Sequence, residues 1–422
     1  MAKILTMSDN PNICTGMGKV HREIAMGLHK RGHEVEALGW FSSRNHPNKM
    51  PFPVYTTRNN YYGSDIIDET ILNVRPDIVL SIGDCWMISY LANPNKCGTR
   101  SMFQWINYCP IDGAAAGEQL PPTWIPIFKD ADVNVAYTEY GKRIMSNSMP
   151  EISEEIKVIP HGVDTNVFKP LPTDEVRRLR QSIKLDTLGT DGMVRRKIMY
   201  LVVARNQFRK NIPEIAKGFK AFIDSGDYGN AVFWPHMTFQ DQLGWNLDEV
   251  FDVVDIRKQL QFFEKVAHAS SNLHLLPEHD LNRLYNAADV FVLMSGEGWG
   301  LPTVEAMACG KPVIALDHSA NTELVKGRGE LVKVANYQTG KYCTERPLHD
   351  EECLVRAMQR MYRHPERRKK CGEAGYKFIT QGDPDQFHGK PLTWDSACDK
   401  WDEIVRELEH PLSKPVKLRE VC

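Results

Sequence analysis

The sequence has almost no charge imbalance, no long apolar run and no paired-cysteine motif, and each absence removes a class of protein. A formal net charge of -2 provides no basic surface for a polyanion, so nucleic acid is not an expected partner. No stretch approaches the roughly 20 consecutive apolar residues of a membrane-spanning helix. The opening MAKILTM turns polar by Ser8, too early for a secretory leader, which predicts a cytoplasmic protein. No basic amphipathic helix argues for membrane docking, which leaves room only for peripheral contact. The ten cysteines are scattered without a Cys-x-x-Cys spacing, several of them inside apolar strand or helix patterns. Reduced, buried thiols are expected, and neither a disulfide framework nor a zinc site. There is no repeat of solenoid period, no complete dinucleotide fingerprint and no P-loop.

What is present is an ordinary globular composition, 42% hydrophobic and 25% charged, in a 422-residue chain that suits two cores better than one. The stretch that organises it is Ser295 to Glu323. An apolar run (Val290 to Met294) empties into a glycine-rich turn. Glu297 and Glu305 follow with seven residues between them, a short helix ends at Gly310, and a new strand starts at Pro312. Strand, turn, helix and strand in this order form the crossover unit of an open parallel sheet.

The same plan occurs elsewhere. Ala2 to Met7 reads as a strand, Gly16 and Gly18 lie in a turn, and a helix runs from Gly18 through Leu28. Such a turn is either tight geometry alone or an anion site, with free N–H groups and the helix dipole aimed into it. Residues 40 to 64 read as a long loop or an irregular hairpin. Further strands are expected at Asp77 to Ile82, Ser101 to Ile106, Ala131 to Tyr137 and Ile156 to Ile159, with a short helix from Asp84. After the Ser101 strand come Asn107, Tyr108 and Asp112; Asp112 is either a turn-forming residue or a carboxylate in the cleft. Asp130-Ala131-Asp132 reads as solvated or a turn. Residues 171–196 form a boundary containing a charged helical piece. The sheet pattern restarts at Lys197, followed by Arg205, Arg209 and Lys210 in one loop, either a solvated charge run or a clamp for an oxyanion. A strand over Leu273 to Leu276, a helix capped by Asp280, a last strand at Leu331 to Val334 and a final helix at Trp394 to Leu408 complete the pattern.

Together these loops would suit a diphosphate flanked by ribose and a polyhydroxylated group: cations and amides for the phosphates, carboxylates for vicinal hydroxyls. For Glu305 the alternative is a helix-start carboxylate stabilised by the dipole, and for Glu297 an exposed loop residue.

The run E-G-W-G-L-P-T-V-E-A-M-A-C-G-K-P-V-I-A, with Arg205 and Lys210 five apart and the Ile159 to Asp164 segment, resembles glycosyltransferase family 4. That is a retaining, nucleotide-sugar-dependent group with the GT-B fold, an α/β architecture of two Rossmann-like doubly wound domains facing a central cleft. The resemblance implies an N-terminal, acceptor-side domain over 1–170, a linker over 171–196 and a nucleotide-sugar domain over 197–384. A helix over 385–410 would pack back on the first domain, and 411–422 would be a tail. It implies that Glu297 binds the donor sugar's hydroxyls, Glu305 the ribose, and Arg205 and Lys210 the diphosphate. Backbone around Gly300 and Leu301 would help hold sugar and phosphate, with Gly16 and Gly18 in the glycine-loop region. Glu323 matches the last glutamate of a downstream element, with Ser319-Ala320 replacing its glycine pair. Where many members carry a histidine close to the donor sugar, this chain has Asn107, Tyr108 and Asp112, with Asp112 the best positional substitute. His161, replacing an asparagine, is expected to be a turn residue. The implied reaction moves a hexose-type sugar from a UDP- or GDP-linked donor to a hydroxyl of a glycan, lipid-linked or protein acceptor. The nucleotide sugar is a co-substrate, no other cofactor is expected, and no Asp-x-Asp motif is tied to a sugar-binding strand, so the chemistry is expected to need no metal. Other readings are a nucleotide-sugar epimerase of the same fold and a non-catalytic glycan- or nucleotide-binding module.

Overall fold

The computed structural model describes residues 1–41, 47–59, 62–268 and 276–409. In it the short apolar runs become strands buried on both faces, the pattern of parallel sheets covered by helices on each side. The first sheet comprises β1 (Lys3–Asp9), β2 (Glu34–Trp40), β3 (Val54–Thr56), β4 (Ile78–Ile82), β5 (Gln104–Cys109), β6 (Val133–Ala136) and β7 (Lys157–Val158). A small antiparallel hairpin, β8 (Asp186–Leu188) and β9 (Val194–Arg196), precedes the second sheet. That sheet comprises β10 (Ile198–Val203), β11 (Ala231–His236), β12 (Val290–Leu293), β13 (Val313–Leu316) and β14 (Glu330–Val332). A second hairpin, β15 (Val334–Thr339) and β16 (Glu345–His349), stands outside both sheets.

All pairings within the two large sheets are parallel, in the orders β3-β2-β1-β4-β5-β6-β7 and β11-β10-β12-β13-β14. Each order reverses once, at β1/β4 and at β10/β12. In open α/β sheets the crevice beyond the carboxyl ends of the strands at such a reversal is where ligands bind. The fold therefore delivers four loops to one cleft: those after β1, β4, β10 and β12.

Several boundaries differ from the sequence reading. β5 starts at Gln104, three residues late, because Arg100 to Met102 form a 3-10 turn. The Arg100 guanidinium holds Asp130 at 2.8 Å and Asp132 at 2.9 Å, so Asp130-Ala131-Asp132 is an anchor and not a solvated turn. β5 then runs on to Cys109, which places Asn107 and Tyr108 inside the sheet, both fully buried. Asn107 donates to the Asn134 side chain and the Tyr108 hydroxyl to the Ile159 carbonyl, so neither occupies the cleft turn. The helix containing Asp280 begins at Glu278, which makes Asp280 a first-turn residue and not the cap. The first helix begins at Gly16, two residues early. Residues 40 to 64 include β3, paired with β2. The β15–β16 hairpin had no counterpart in the sequence reading. The expected strand over 273–276 and the tail from 411 lie outside the described residues, apart from Leu276.

Residues 171–196 fold as the helix Thr173–Ser182 and the β8–β9 hairpin. Arg180, 2% exposed, ties both to the second sheet: its guanidinium binds Asp186 at 2.9 Å, Asp289 at 3.0 Å and the Ala287 and Lys197 carbonyls. The last helix, Trp394–Glu409, lies on the helix Gly16–Lys30. Arg31 pairs with Asp395 at 2.8 Å and His33 with Asp402 at 2.7 Å. Gly27 permits this approach, since a Cβ there would sit 2.1 Å from the Cys398 sulfur. Among the described residues all nine cysteines are unpaired, and no helix is long and apolar enough to cross a membrane.

Candidate functional site

After β10 the chain forms a single 3-10 turn, Phe208–Lys210, and Asn211 takes a left-handed conformation (φ 53°) before the next helix. Asn211 is enriched in that region of φ/ψ space, and its amide nitrogen donates to the Met294 and Pro347 carbonyls at 2.9 and 3.1 Å. The cationic loop is thereby stitched to the end of β12, and Lys210 is brought onto Glu297. The two form an ion pair, with Glu297 7% and Lys210 8% exposed. The Ser295 hydroxyl donates to the same carboxylate at 2.6 Å, and the Glu297 N–H donates to the Ser319 hydroxyl at 2.9 Å.

Burial would raise the Glu297 pKa, but the charges of Lys210 and Arg209 outweigh it and hold the carboxyl below its ordinary value. Burial, reinforced by Arg209, pushes Lys210 down to about 8 against the pull of Glu297. Arg209, read from the sequence as part of either a solvated charge run or an oxyanion clamp, is central: it stands 3.6 Å from Asp112 and 3.8 Å from Glu297. Arg205 takes a separate position. Its guanidinium binds Asp241 at 2.8 and 3.3 Å, and its charge also reaches Asp9 across the cleft.

On the opposing wall Thr15 caps the first helix by accepting from the Gly18 N–H at 2.9 Å, and donates to Asp9 at 2.6 Å. A Cβ on Gly18 would lie 2.8 Å from the Ile13 carbonyl oxygen, so the turn requires glycine. A Cβ on Gly16 would lie 3.8 Å from the Leu301 side chain across the cleft. Gly300 (φ 101°) turns the chain into the helix Leu301–Ala308, a left-handed geometry that favours glycine. One turn further on, Glu305 is 6% exposed; it accepts from Lys19 at 3.0 Å and from the Tyr285 hydroxyl at 3.0 Å. Lys19 also pairs with Glu278 at 3.0 Å.

The two walls touch. The Asp112 carbonyl lies where a Cβ on Gly296 would come within 2.4 Å, and Pro110 packs on Gly298. Glu323 accepts the N–H groups of Glu139 and Tyr140 at 3.1 and 2.7 Å, at the start of a helix belonging to the first sheet. Asp112 itself is partly exposed beside Arg209. His161 lies buried among Tyr137, Tyr108, Trp299 and Trp394, and burial lowers its pKa to about 3, so it stays neutral.

The structure thus brings Glu297, Lys210, Arg209 and Asp112 together, and Gly16, Leu301 and Glu305 close by. It sets Arg205 apart on Asp241. Sequence reasoning passed over Lys19 and Asp84. Lys19 follows Gly18 directly, a visible signal; Asp84 read only as a helix start. Among the described residues no three His, Cys, Asp or Glu side chains are grouped to hold a metal ion. Chemically, the cleft offers cations and helix-start amides for an anion and two buried carboxylates for hydroxyl groups.

Two parallel, helix-flanked sheets facing one cleft define the GT-B fold, and this chain is a GT-B-fold protein. Residues 258–378 match the family model described as Glycosyl transferases group 1. A probable sucrose-phosphate synthase of Thermosipho melanesiensis is 28% identical over 193 residues, covering 44% of this chain and 38% of the relative. The lipopolysaccharide core biosynthesis mannosyltransferase LpsB of Rhizobium meliloti is 30% identical over 193 residues, 41% of this chain and 44% of that protein. The chain therefore aligns with less than half the length of either relative. The structure of a sucrose-phosphate synthase from Thermosynechococcus elongatus superposes with a TM-score of 0.70 at 17% identity, covering 97% of this chain and 99% of that one. Anabaena HepE, solved in complex with UDP-glucose, gives 0.71 at 13% identity, covering 96% and 100%.

Proposed function

We propose that the protein is a retaining glycosyltransferase that moves a hexose-type sugar from a UDP- or GDP-linked donor to a hydroxyl of its acceptor. The observation that carries this reading is the buried Lys210–Glu297 pair, with Arg209 beside it, at the β10/β12 reversal and facing the Gly16–Gly18 turn. The UDP-glucose complex of the HepE structure and the mannosyltransferase name of LpsB support a nucleoside-diphosphate hexose as donor.

In this reading the segment 197–384 binds the donor and 1–170 the acceptor. Lys210 and Arg209, and Arg205 on leaving Asp241, neutralise the diphosphate as its negative charge grows, together with amides around Gly300 and Leu301. Glu297 takes the sugar hydroxyls, and Glu305 exchanges Lys19 for the ribose hydroxyls. The acceptor oxygen attacks from the face the diphosphate leaves; the C–O bond to phosphate breaks, the new glycosidic bond forms, and the acceptor proton passes to the leaving phosphate oxygen. Asp112, beside Arg209, borders the reacting face.

The test is to incubate the protein with a panel of UDP- and GDP-hexoses, with and without candidate acceptors, and to assay free diphosphate. Acceptor-dependent release is expected. Isomerisation without release would indicate an epimerase, and tight binding without turnover a binding module. Turnover is expected to survive removal of divalent metal by a chelator; its loss would overturn the metal-independent step.

The charge state of Lys210 gives a pH prediction. With its pKa pushed down to about 8, Lys210 loses its proton as pH rises through that value. Diphosphate binding needs the charged form, so kcat/KM for the donor is expected to fall above about pH 8. Bound diphosphate favours the ammonium, so the fall in kcat at saturating donor is expected at higher pH. A flat profile between pH 7 and 9.5 would remove Lys210 from the diphosphate site.

A further inference from the structure

At the carboxyl end of β4 the chain reads Gly83-Asp84-Cys85-Trp86. This is the one of the four cleft loops that the mechanism above leaves without a role. Asp84 and Trp86 are both half-buried. Burial, aided by the charge of Asp112, pushes the Asp84 carboxyl up to about 7, with Arg209 and a hydrogen bond from Trp86 opposing the shift. The charges of Arg209 and Asp112, which border the reacting face, thus act on Asp84.

Trp86 belongs to a run of aromatic rings. It meets Tyr62 edge-on at 5.3 Å, and Tyr62 meets Trp40 at 5.7 Å and Phe41 at 5.6 Å, all near-perpendicular. On its other side Trp86 lies parallel to Tyr342, at 5.2 Å and 16°. Tyr342 sits at the tip of the β15–β16 hairpin, which comes from the second sheet's side of the cleft. The hairpin reaches over and is held by the Glu345 N–H donating to the Ala114 carbonyl at 2.7 Å. Within the same wall the indole nitrogen of Trp40, a residue 1% exposed, is buried without a hydrogen-bond partner among the described residues.

A core stack would be buried within one domain. This one is half-exposed, joins opposite walls of the cleft, and has a carboxyl at its edge. Flat aromatic faces suit the C–H face of a pyranose ring, and a carboxyl at the rim suits its hydroxyls. A phosphorylated headgroup would meet three acids, Asp9, Asp84 and Asp112, whose charges already act on one another. A peptide could add as a strand only along the outer edges of β15 and β16, whereas the Trp86–Tyr342 stack offers ring faces and not backbone partners.

We propose that Asp84, Trp86 and Tyr342 form the acceptor subsite and that it takes a pyranose ring, so that the acceptor is a carbohydrate hydroxyl. This rests on the transferase reading and names its acceptor class. The 5.2 Å between the stacked rings leaves no space for a sugar between them. The hairpin therefore swings away, breaking the Glu345–Ala114 bond, and closes again with Tyr342 over the bound ring. Asp84 acts as a positioning and specificity group for a ring hydroxyl.

The test uses the full chain with UDP or GDP bound, titrated with maltose, cellobiose and mannobiose. A serine-containing peptide and phosphatidylglycerol vesicles serve as competing classes. Saturation-transfer NMR reads contact with ring C–H protons, and tryptophan fluorescence reads affinity. At least one disaccharide is expected to bind. Trp86→Ala and Tyr342→Ala are each expected to weaken it about tenfold, the scale of one lost aromatic contact. Trp86→Phe should recover most of the affinity, and nucleotide binding should stay unchanged in all three, which also verifies folding. Asp84→Asn should alter which disaccharide is preferred. Nucleotide binding with no disaccharide bound, binding of the peptide or vesicle instead, or undiminished sugar affinity in both alanine variants would overturn the subsite alone. Absence of nucleotide binding in the native chain would overturn the transferase reading and the subsite with it.

Discussion

Replacing Glu297 by glutamine is expected to lower turnover by about 10²–10³-fold, the scale for loss of one preorganised electrostatic contact in a water-poor site. Affinity for the free nucleoside diphosphate should be unchanged or rise. The sign follows from the local charges. Glu297 is the counterion of Lys210 and Arg209; without it Arg209 keeps its charge, no carboxylate competes with an anion, and a bound diphosphate restores the Lys210 ammonium. What is lost is the hydroxyl-binding carboxylate. Removing one member of a buried ion pair commonly costs about 3–5 kcal/mol of stability. Lys210 softens that cost here, because its pKa is already near 8 and falls further without Glu297, so the amine can shed its charge. Steady-state kinetics with calorimetric titration of the diphosphate separates the effects. Turnover within threefold of native would remove Glu297 from the reaction, and a large loss of diphosphate affinity would assign it to the phosphates.

Arg180→Ala is expected to be the most destabilising single change outside the cleft, by about 3–5 kcal/mol. Arg180 and Asp289 are nearly inaccessible and Asp186 almost so, so solvent screening gives little relief. Asp289 keeps Arg196 and the Met199 N–H, whereas Asp186 loses its bidentate partner. Two backbone carbonyls lose their donor as well. Arg180→Lys should recover little, since one ammonium cannot span the fork of acceptors. Chemical denaturation monitored by tryptophan fluorescence measures the change. A midpoint close to native would show that the helix Thr173–Ser182 and the β8–β9 hairpin hang on the second sheet without supporting it.

The paired glutamates were legible because the backbone that carries them is local: a strand, a left-handed Gly300 and the first two turns of one helix. Arg205 and Lys210 were visible as cations after a strand, but their partners were not. Arg205 turns to Asp241 and Lys210 to Glu297, and only the packing of β10 against β12 distinguishes them. The role of Arg209 stayed open because its partner Asp112 comes from the other sheet. β5 was misplaced by three residues because Arg100 diverts Ser101 and Met102 into a turn through partners near residue 130. The β15–β16 hairpin escaped because its residues alternate without a buried face.

The sequence by itself determined the α/β class, the doubling of the plan and the residues of the main cleft turns. Hydrophobic period, turn glycines and helix starts act over a few residues, and the chain states them directly. The tertiary structure alone decided which charges meet. Lys19 reaches Glu305 across 286 residues, Glu323 caps a helix of the first sheet, and Tyr342 covers Trp86. A side chain's electrostatic partner depends on distances of a few ångströms between elements far apart in the chain, and only strand order and the closure of the two walls set those distances.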